Sequence, residues 1–202
     1  MEKERIEALA QAVLGKIFVP LEASGRHVHV TAQQAQALFG HDLTPDRDLS
    51  QPGQYLAKER VTVAGPKGKF ENVAVLGPAR KAAQVEVSLT DGRMLGIKPP
   101  VRLSGDTKNS PGCTLIGPCG TVTLQEGVIA AQRHIHLPPQ DAARFGVRDK
   151  QVVKLQTFTS RPAVFEEVMV RISPDFATAV HLDYDEANAC GFANGDWGRI
   201  IP

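Results

Sequence analysis

The chain has 202 residues, 42% of them apolar, with 23 basic against 22 acidic side chains and a formal net charge of +1. That length suits one large domain or two small ones with a buried core, and the balanced charge, with no basic run or aromatic stripe, argues against a nucleic-acid surface. No segment approaches the roughly 20 apolar residues of a membrane span and the charged start does not read as a signal peptide, so a soluble cytoplasmic protein without membrane contact is expected, its three cysteines remaining free thiols.

Residues 2–17 place Ile6, Leu9, Ala10, Val13, Leu14 and Ile17 at helical spacing, with charged residues on the other face, which predicts an amphipathic helix over 1–18. Two uses stay open for it: packing on the domain that follows, or docking onto a partner or shell. From residue 19 the pattern changes to short runs such as 28–30, 60–64, 73–76, 85–89 and 168–172, punctuated by Gly, Pro and Asp. These predict short strands and a mainly β body. Only two further stretches read as helices, 31–39 with Thr31 as its cap and 138–145 with Pro at the start.

Those two helices occupy equivalent places in a repeat. Arg26-His27-Val28-His29-Val30, followed by Ala35 and Phe39-Gly40, is echoed by Arg133-His134-Ile135-His136-Leu137, followed by Ala142 and Phe145-Gly146. Further on, Val85-Glu86-Val87 leads to Gly96 as Val180-His181-Leu182 leads to Gly191, which aligns Glu86 with His181. The reading is two related small β-barrel domains from an internal duplication, with short helices. Their expected extents are 19–110 and 111–202, joined through the Pro/Gly-rich run 98–120, and interleaving of the halves is left open.

Alternate residues of a strand face one side, so His27 with His29 and His134 with His136 each present two imidazoles together. A single His-x-His in a strand is more often a surface pair, but here it recurs at homologous positions. The repeat supplies a third ligand for each pair, giving His27/His29/Glu86 and His134/His136/His181, sets that suit a divalent ion with one position left for water or substrate. Structural zinc sites are commonly rich in cysteine, and these sets contain none, so the metals read as catalytic. Arg80, just after the turn Gly77-Pro78 and six residues before Glu86, would complete an anion pocket beside the first set, or is an ordinary surface arginine. His41 is given no role, and Met94, Tyr184 and Trp197 are expected to pack.

Several segments carry a resemblance: Glu22-Ala23-Ser24-Gly25-Arg26-His27-Val28-His29, Gly77-Pro78-Ala79-Arg80-Lys81, Gln84-Val85-Glu86-Val87-Ser88, Gly127-Val128-Ile129-Ala130-Ala131, Arg133-His134-Ile135-His136 and Asp185-Glu186-Ala187-Asn188-Ala189. In this order they resemble the microcompartment-associated phosphate propanoyltransferases. The resemblance implies two β-barrel domains with a two-zinc centre between them, and reversible transfer of a propanoyl or acetyl group between coenzyme A and inorganic phosphate. It assigns His27, His29 and Glu86 to one metal and His134, His136 and His181 to the other. Arg80 would bind phosphate, and Ser24, Arg47, Leu76 and Asn188 would lie along CoA. Ala74 stands where the family often has a basic residue, and Cys113 and Cys119 match no signature of it, so no acyl-cysteine is expected.

The implied partners are acyl-CoA, CoA, phosphate and acyl phosphate, together with shell or cargo proteins of a bacterial microcompartment; a homo-oligomer is compatible. The chemistry expected is direct attack of phosphate on the thioester. A dinuclear metallohydrolase and a non-catalytic, metal-stabilised scaffold module are the competing readings of the same ligands.

Overall fold

The computed structural model describes residues 5–6 and 13–202. Residues 5–6 and 13–14 are helical, residues 15–17 form a turn so that the helix stops short of the expected residue 18, and residues 1–4 and 7–12 lie outside the described residues. Among the described residues no helix is long and apolar enough to cross a membrane. The body is mainly β, as the alternating runs predict, and it divides into two compact units, residues 25–132 and residues 13–24 with 133–202.

The first unit, 25–132, is a curled nine-stranded sheet. Its strands are β2 (His27–His29), β3 (Pro45–Asp48), β4 (Tyr55–Ala64), β5 (Lys69–Gly77), β6 (Gln84–Glu86), β7 (Val101–Arg102), β8 (Cys113–Ile116), β9 (Thr121–Leu124) and β10 (Val128–Ala131). They are ordered β7-β10-β6-β2-β5-β4-β8-β9, with β3 paired to β4. Helices α1 (Ala32–Phe39) and α2 (Leu89–Leu95) follow β2 and β6. The core gathers Val28, Val61, Val63, Val75, Val85 and Leu115 against Leu38 of α1.

The second unit is a closed six-stranded barrel in the order β1-β14-β11-β13-β12-β15. Its strands are β1 (Val19–Ser24), β11 (His134–Leu137), β12 (Val152–Phe158), β13 (Val164–Ile172), β14 (Ala179–Asp183) and β15 (Trp197–Ile201), with helices α3 (Pro139–Phe145) and α4 (Tyr184–Cys190). Ile135, Leu137, Leu155, Val168, Val170, Val180 and Leu182 fill it, together with Val19 and Leu21 of β1. The strand β1 therefore lies in sequence before the first His-x-His pair but in space beside β14, which it pairs in parallel. Its counterpart β10, just before the second His-x-His pair, pairs in parallel with β6 of the first unit.

Helices α1 and α3 match the two helical stretches expected in the body. The expectation of only those two is corrected by α2 and α4, seven residues each. They are too short to show a helical period, and α2 contains Gly92. Their signal is in the caps: Ser88 with Asp91, and Asp183 with Glu186, each close a capping box in which side chain and backbone satisfy one another reciprocally. Met94 and Tyr184, expected to pack, are 59% and 46% exposed. The buried positions of α2 are Asp91, Gly92 and Leu95, and those of α4 are Ala187 and Cys190, so these two large side chains fall on the solvent faces.

Ile135 sits between the two histidines of β11 and is fully buried in the barrel. Truncation to alanine removes its transfer energy and leaves a void, so Ile135→Ala is expected to cost about 3 kcal/mol in denaturant unfolding. Val152→Ala, at a position 53% exposed, is expected to change stability by less than about 0.5 kcal/mol; equal losses at both positions would contradict this placement of the core.

Candidate metal sites

In the first unit β2 and β6 run antiparallel with His27 opposite Glu86, Val28 opposite Val85 and His29 opposite Gln84. The valines point into the core, so the alternation of the strand sends His27, His29, Glu86 and Gln84 to the other face. Ligand atoms of His27, His29 and Glu86 lie within 4.8 Å of one another, and all three side chains are buried. His27 Nδ1 is 2.8 Å from the Gly25 carbonyl oxygen and His29 Nδ1 is 3.2 Å from that of Leu76. Donation of Nδ1–H to those carbonyls leaves each Nε2 lone pair for a cation.

Glu86 is braced in turn. Gln84 Nε2 donates to Glu86 Oε1 at 2.5 Å and to Ser104 Oγ at 2.8 Å, while Gln84 Oε1 accepts the Gly105 N–H at 2.7 Å. The long linker thus delivers Ser104 and Gly105 to this group. Arg80 follows β5, donates its backbone N–H to the Val30 carbonyl at 2.8 Å and places Nη1 3.4 Å from Ser104 Oγ. Its charge acts on both His27 and His29.

Burial disfavours the charged forms here, and the neighbours decide the outcome. Burial would raise Glu86, but the charge and hydrogen bond of His27, with His29 beyond, hold it far below the ordinary carboxylate range. Burial would lower His27, yet Glu86, with Oε2 3.6 Å from His27 Nε2, raises it. His29 falls to about 3, through burial first and then the positive charges of His27 and Arg80. A carboxylate beside a neutral imidazole, with a second imidazole drawn to the carboxylate, is a donor set that a divalent cation would satisfy.

In the second unit the register repeats, with His134 on β11 opposite His181 on β14. The three rings of His134, His136 and His181 are centred 4.6 to 5.0 Å apart, and their ligand atoms meet the same 4.8 Å limit. Neither ring nitrogen of buried His136 has a hydrogen-bond partner. Leaving such a group unsatisfied costs roughly 1–3 kcal/mol, and burial together with the positive charges of His134, His181 and Arg171 drives its pKa down to about 2. Three imidazoles held this close, one with both nitrogens orphaned, fit a cation better than they fit one another. The residues present in both units therefore fit divalent metals.

One residue of this second group was not singled out from the sequence. Glu22 of β1 is in register with His181 and places Oε2 3.6 Å from His181 Nδ1. At the matching place in the first unit, β10 sets Ile129 beside Glu86. Each group thus has one carboxylate, as one of the three converging side chains in the first and beside His181 in the second. Only the parallel pairing of β1 with β14 reveals Glu22; Gln84 was legible as the residue two before Glu86 on the same strand face.

The residues expected along CoA are divided between the units. Arg47 is exposed on β3, and Leu76 of β5 is half-buried with its carbonyl turned to His29. Ser24 ends β1 in register with Asp183, the cap of α4, and Asn188 is exposed on that helix. Ala74 lies opposite His27 on β5. The three cysteines are free thiols, Cys113 and Cys190 buried and Cys119 exposed.

Because His29 and His136 stay neutral when folded but titrate near 6.5 when unfolded, the unfolded chain binds more protons below that pH, and stability falls with acidification. At pH 5 each contributes about 2 kcal/mol of loss, at 1.36 kcal/mol per pH unit. The raised His27 opposes them, since its stabilisation is present below 6.5 and fades as pH rises. The Tm of chelator-treated protein is therefore expected to drop between pH 7 and pH 5; an unchanged Tm would show that these imidazoles titrate normally.

Comparison with known proteins bears on this geometry. A family model described as phosphate propanoyltransferase matches residues 20–193, a span that takes in every residue of both groups. The phosphate propanoyltransferase of Enterococcus faecalis is 55% identical over 183 residues, covering 90% of this chain and 87% of that protein. That of Listeria monocytogenes is 52% identical over 97% of this chain and 93% of its own length. That of Alkaliphilus metalliredigens is 41% identical over the full length of both. The chain belongs to the phosphate propanoyltransferase family.

Proposed function

We propose that this protein is a phosphate acyltransferase that moves a short acyl group, propanoyl or acetyl, between CoA and inorganic phosphate, with one divalent cation held in each unit. The observation that carries the reading is the placing of Arg80 beside His27, His29 and Glu86, an anion-binding side chain next to a cation-binding set. His27, His29 and Glu86 would hold one ion and His134, His136 and His181 the other. Bound there, divalent ions such as zinc supply Lewis-acid charge for the thioester carbonyl, the CoA sulfur and the phosphate oxygens.

The chain's own groups do the rest. The Arg80 guanidinium can grip two of the four phosphate oxygens through parallel N–H bonds, which turns the remaining two toward the acyl group and leaves one of them to attack. Ser104, within reach of Arg80 and Gln84, limits where that guanidinium can swing. Phosphate then attacks the thioester carbonyl carbon, the carbon–sulfur bond breaks, and CoA leaves as the thiolate; the reverse reaction runs through the same arrangement. Burial pushes Cys113 up to about 12 and raises Cys190, so neither of the two buried thiols is a ready nucleophile for an acyl-cysteine. Ser24, Arg47, Leu76 and Asn188 are proposed as the CoA contacts.

Purified protein is expected to contain about two metals per chain and to release CoA from propanoyl-CoA only when phosphate is present, in a chelator-sensitive manner. CoA release independent of phosphate would identify a hydrolase instead. Arg80→Ala should retain both metals and lose roughly 100-fold in phosphate-dependent kcat/KM, the scale of removing one positioned donor. His134→Ala with His136→Ala should remove one metal equivalent and leave the other; unchanged stoichiometry would sink the ligand assignment.

A further inference from the structure

Both His-x-His strands begin one residue after an arginine, and in each unit that arginine closes on an acid that also caps a helix. Arg26 donates from Nε to Asp91 Oδ2 at 3.1 Å and from Nη2 to Asp91 Oδ1 at 2.7 Å. Arg133 donates from Nη1 to Glu186 Oε1 at 2.7 Å and from Nε to the Glu166 carbonyl at 2.6 Å. Asp91 and Glu186 are the acids of the two capping boxes, accepting the N–H of Ser88 at 3.3 Å and of Asp183 at 3.2 Å. Each guanidinium also lies over a phenylalanine of the same unit, 4.1 Å from the Phe70 centroid and 5.7 Å from that of Phe165. In both halves the acid stands five residues after the third ligand (91 minus 86, 186 minus 181).

We infer that these two arginine–acid pairs are positioning devices for the metal ligands, each setting the cation affinity of its own unit. The inference rests on the metal reading above. Its physical basis is the shortness of the strands. β2 and β6 have three residues each, and His27 is the first residue of β2, two positions after Gly25. His134 is likewise the first residue of β11. Core residues Val28, Val85, Ile135 and Val180 forbid a register slip, since one step would turn them out of the core. They do not stop a terminal ligand from drifting where the ladder ends, and drift of about 1 Å is enough to spoil a site.

The pair closes that gap. His27 is joined to Arg26 along the chain, Arg26 to Asp91 by two hydrogen bonds, Asp91 to Ser88 through the cap, and Ser88 lies two residues after Glu86, which faces His27. The same ring runs through His134, Arg133, Glu186, Asp183 and His181. An exposed ion pair would contribute little, but the acids here are 5% and 17% exposed, and the first pair is bidentate. A cap alone accounts for the acids and leaves the arginines, aimed at them from the ligand strands, without a reason.

The test is a cobalt(II) titration of chelator-stripped full-length protein, followed by visible absorption against a competing chelator, with thermal melts of each apo variant. Asp91→Asn keeps an oxygen to accept the Ser88 N–H, and is expected to weaken one of two cations by 10- to 100-fold, the usual scale for groups that orient metal ligands, leaving the other within about threefold. Arg133→Gln should weaken the other cation instead. Asp91→Glu, which installs the acid used at this place in the second unit, should stay within about threefold of the wild type. If Asp91→Asn does not fold, Arg26→Gln, which leaves the capping box whole, takes its place with the same expectation. Wild-type affinity in the disrupting variants, or equal loss in Asp91→Glu, overturns the inference while the two-cation reading stands. A wild-type protein that takes up no cobalt overturns both.

Discussion

Everything chemical in this protein depends on the two-residue alternation of four short strands. On β2, β6, β11 and β14 the residues Val28, Val85, Ile135 and Val180 are fully buried in their cores, while their neighbours in sequence carry the imidazoles and the carboxylate. Burying each such apolar side chain stabilises the fold by roughly 1.5–3 kcal/mol, and a shift of one residue would lose that term and drive a histidine inward. The core energy therefore dictates which face the imidazoles and the carboxylate occupy, and the strand-to-strand register dictates which of them meet.

That arrangement concentrates polar groups where water is scarce, and the two units balance the cost differently. In the first, Glu86 is itself one of the three groups, and its ionised form is stabilised by His27 and braced by Gln84. In the second, three imidazoles cluster and the carboxylate, Glu22, stands at the outer nitrogen of His181. The sites are thus related by duplication without being equivalent. Arg80 adds positive charge beside the first group, where a carboxylate already offsets part of it. The second group has Arg171 on β13 in register with His136 and Phe176 stacked on the same ring at 4.0 Å. Each group thus has an arginine near it, but only the first has a carboxylate among its three converging side chains.

Much of the site was legible from residues alone, because strand alternation and an internal repeat are both written in one dimension. The pairing of Glu86 with the first His-x-His strand and of His181 with the second was inferred from spacing, and the ladders place them opposite His27 and His134. The helices α2 and α4 were missed because seven residues cannot display a 3.6-residue period, although Ser88 with Asp91 and Asp183 with Glu186 marked their starts. Ser104 was hidden in a linker whose length alone hinted at a use. Met94 and Tyr184 were misjudged because hydrophobicity says nothing about which face of a short helix meets the core.

The sequence by itself determined the strand periodicity, the duplication, the six candidate ligands and the arginine beside the first set, since each depends only on residue type and local spacing. Tertiary structure decided the rest. Parallel pairing across a long sequence separation seats β1 against β14 and brings Glu22 to His181; long-range ladders of both senses close one sheet into a barrel while the other stays curled and open, and the antiparallel pairs β2/β6 and β11/β14 bring Arg26 to Asp91 and Arg133 to Glu186. Those contacts are set by which hydrophobic faces find each other in three dimensions, and no local pattern encodes that choice.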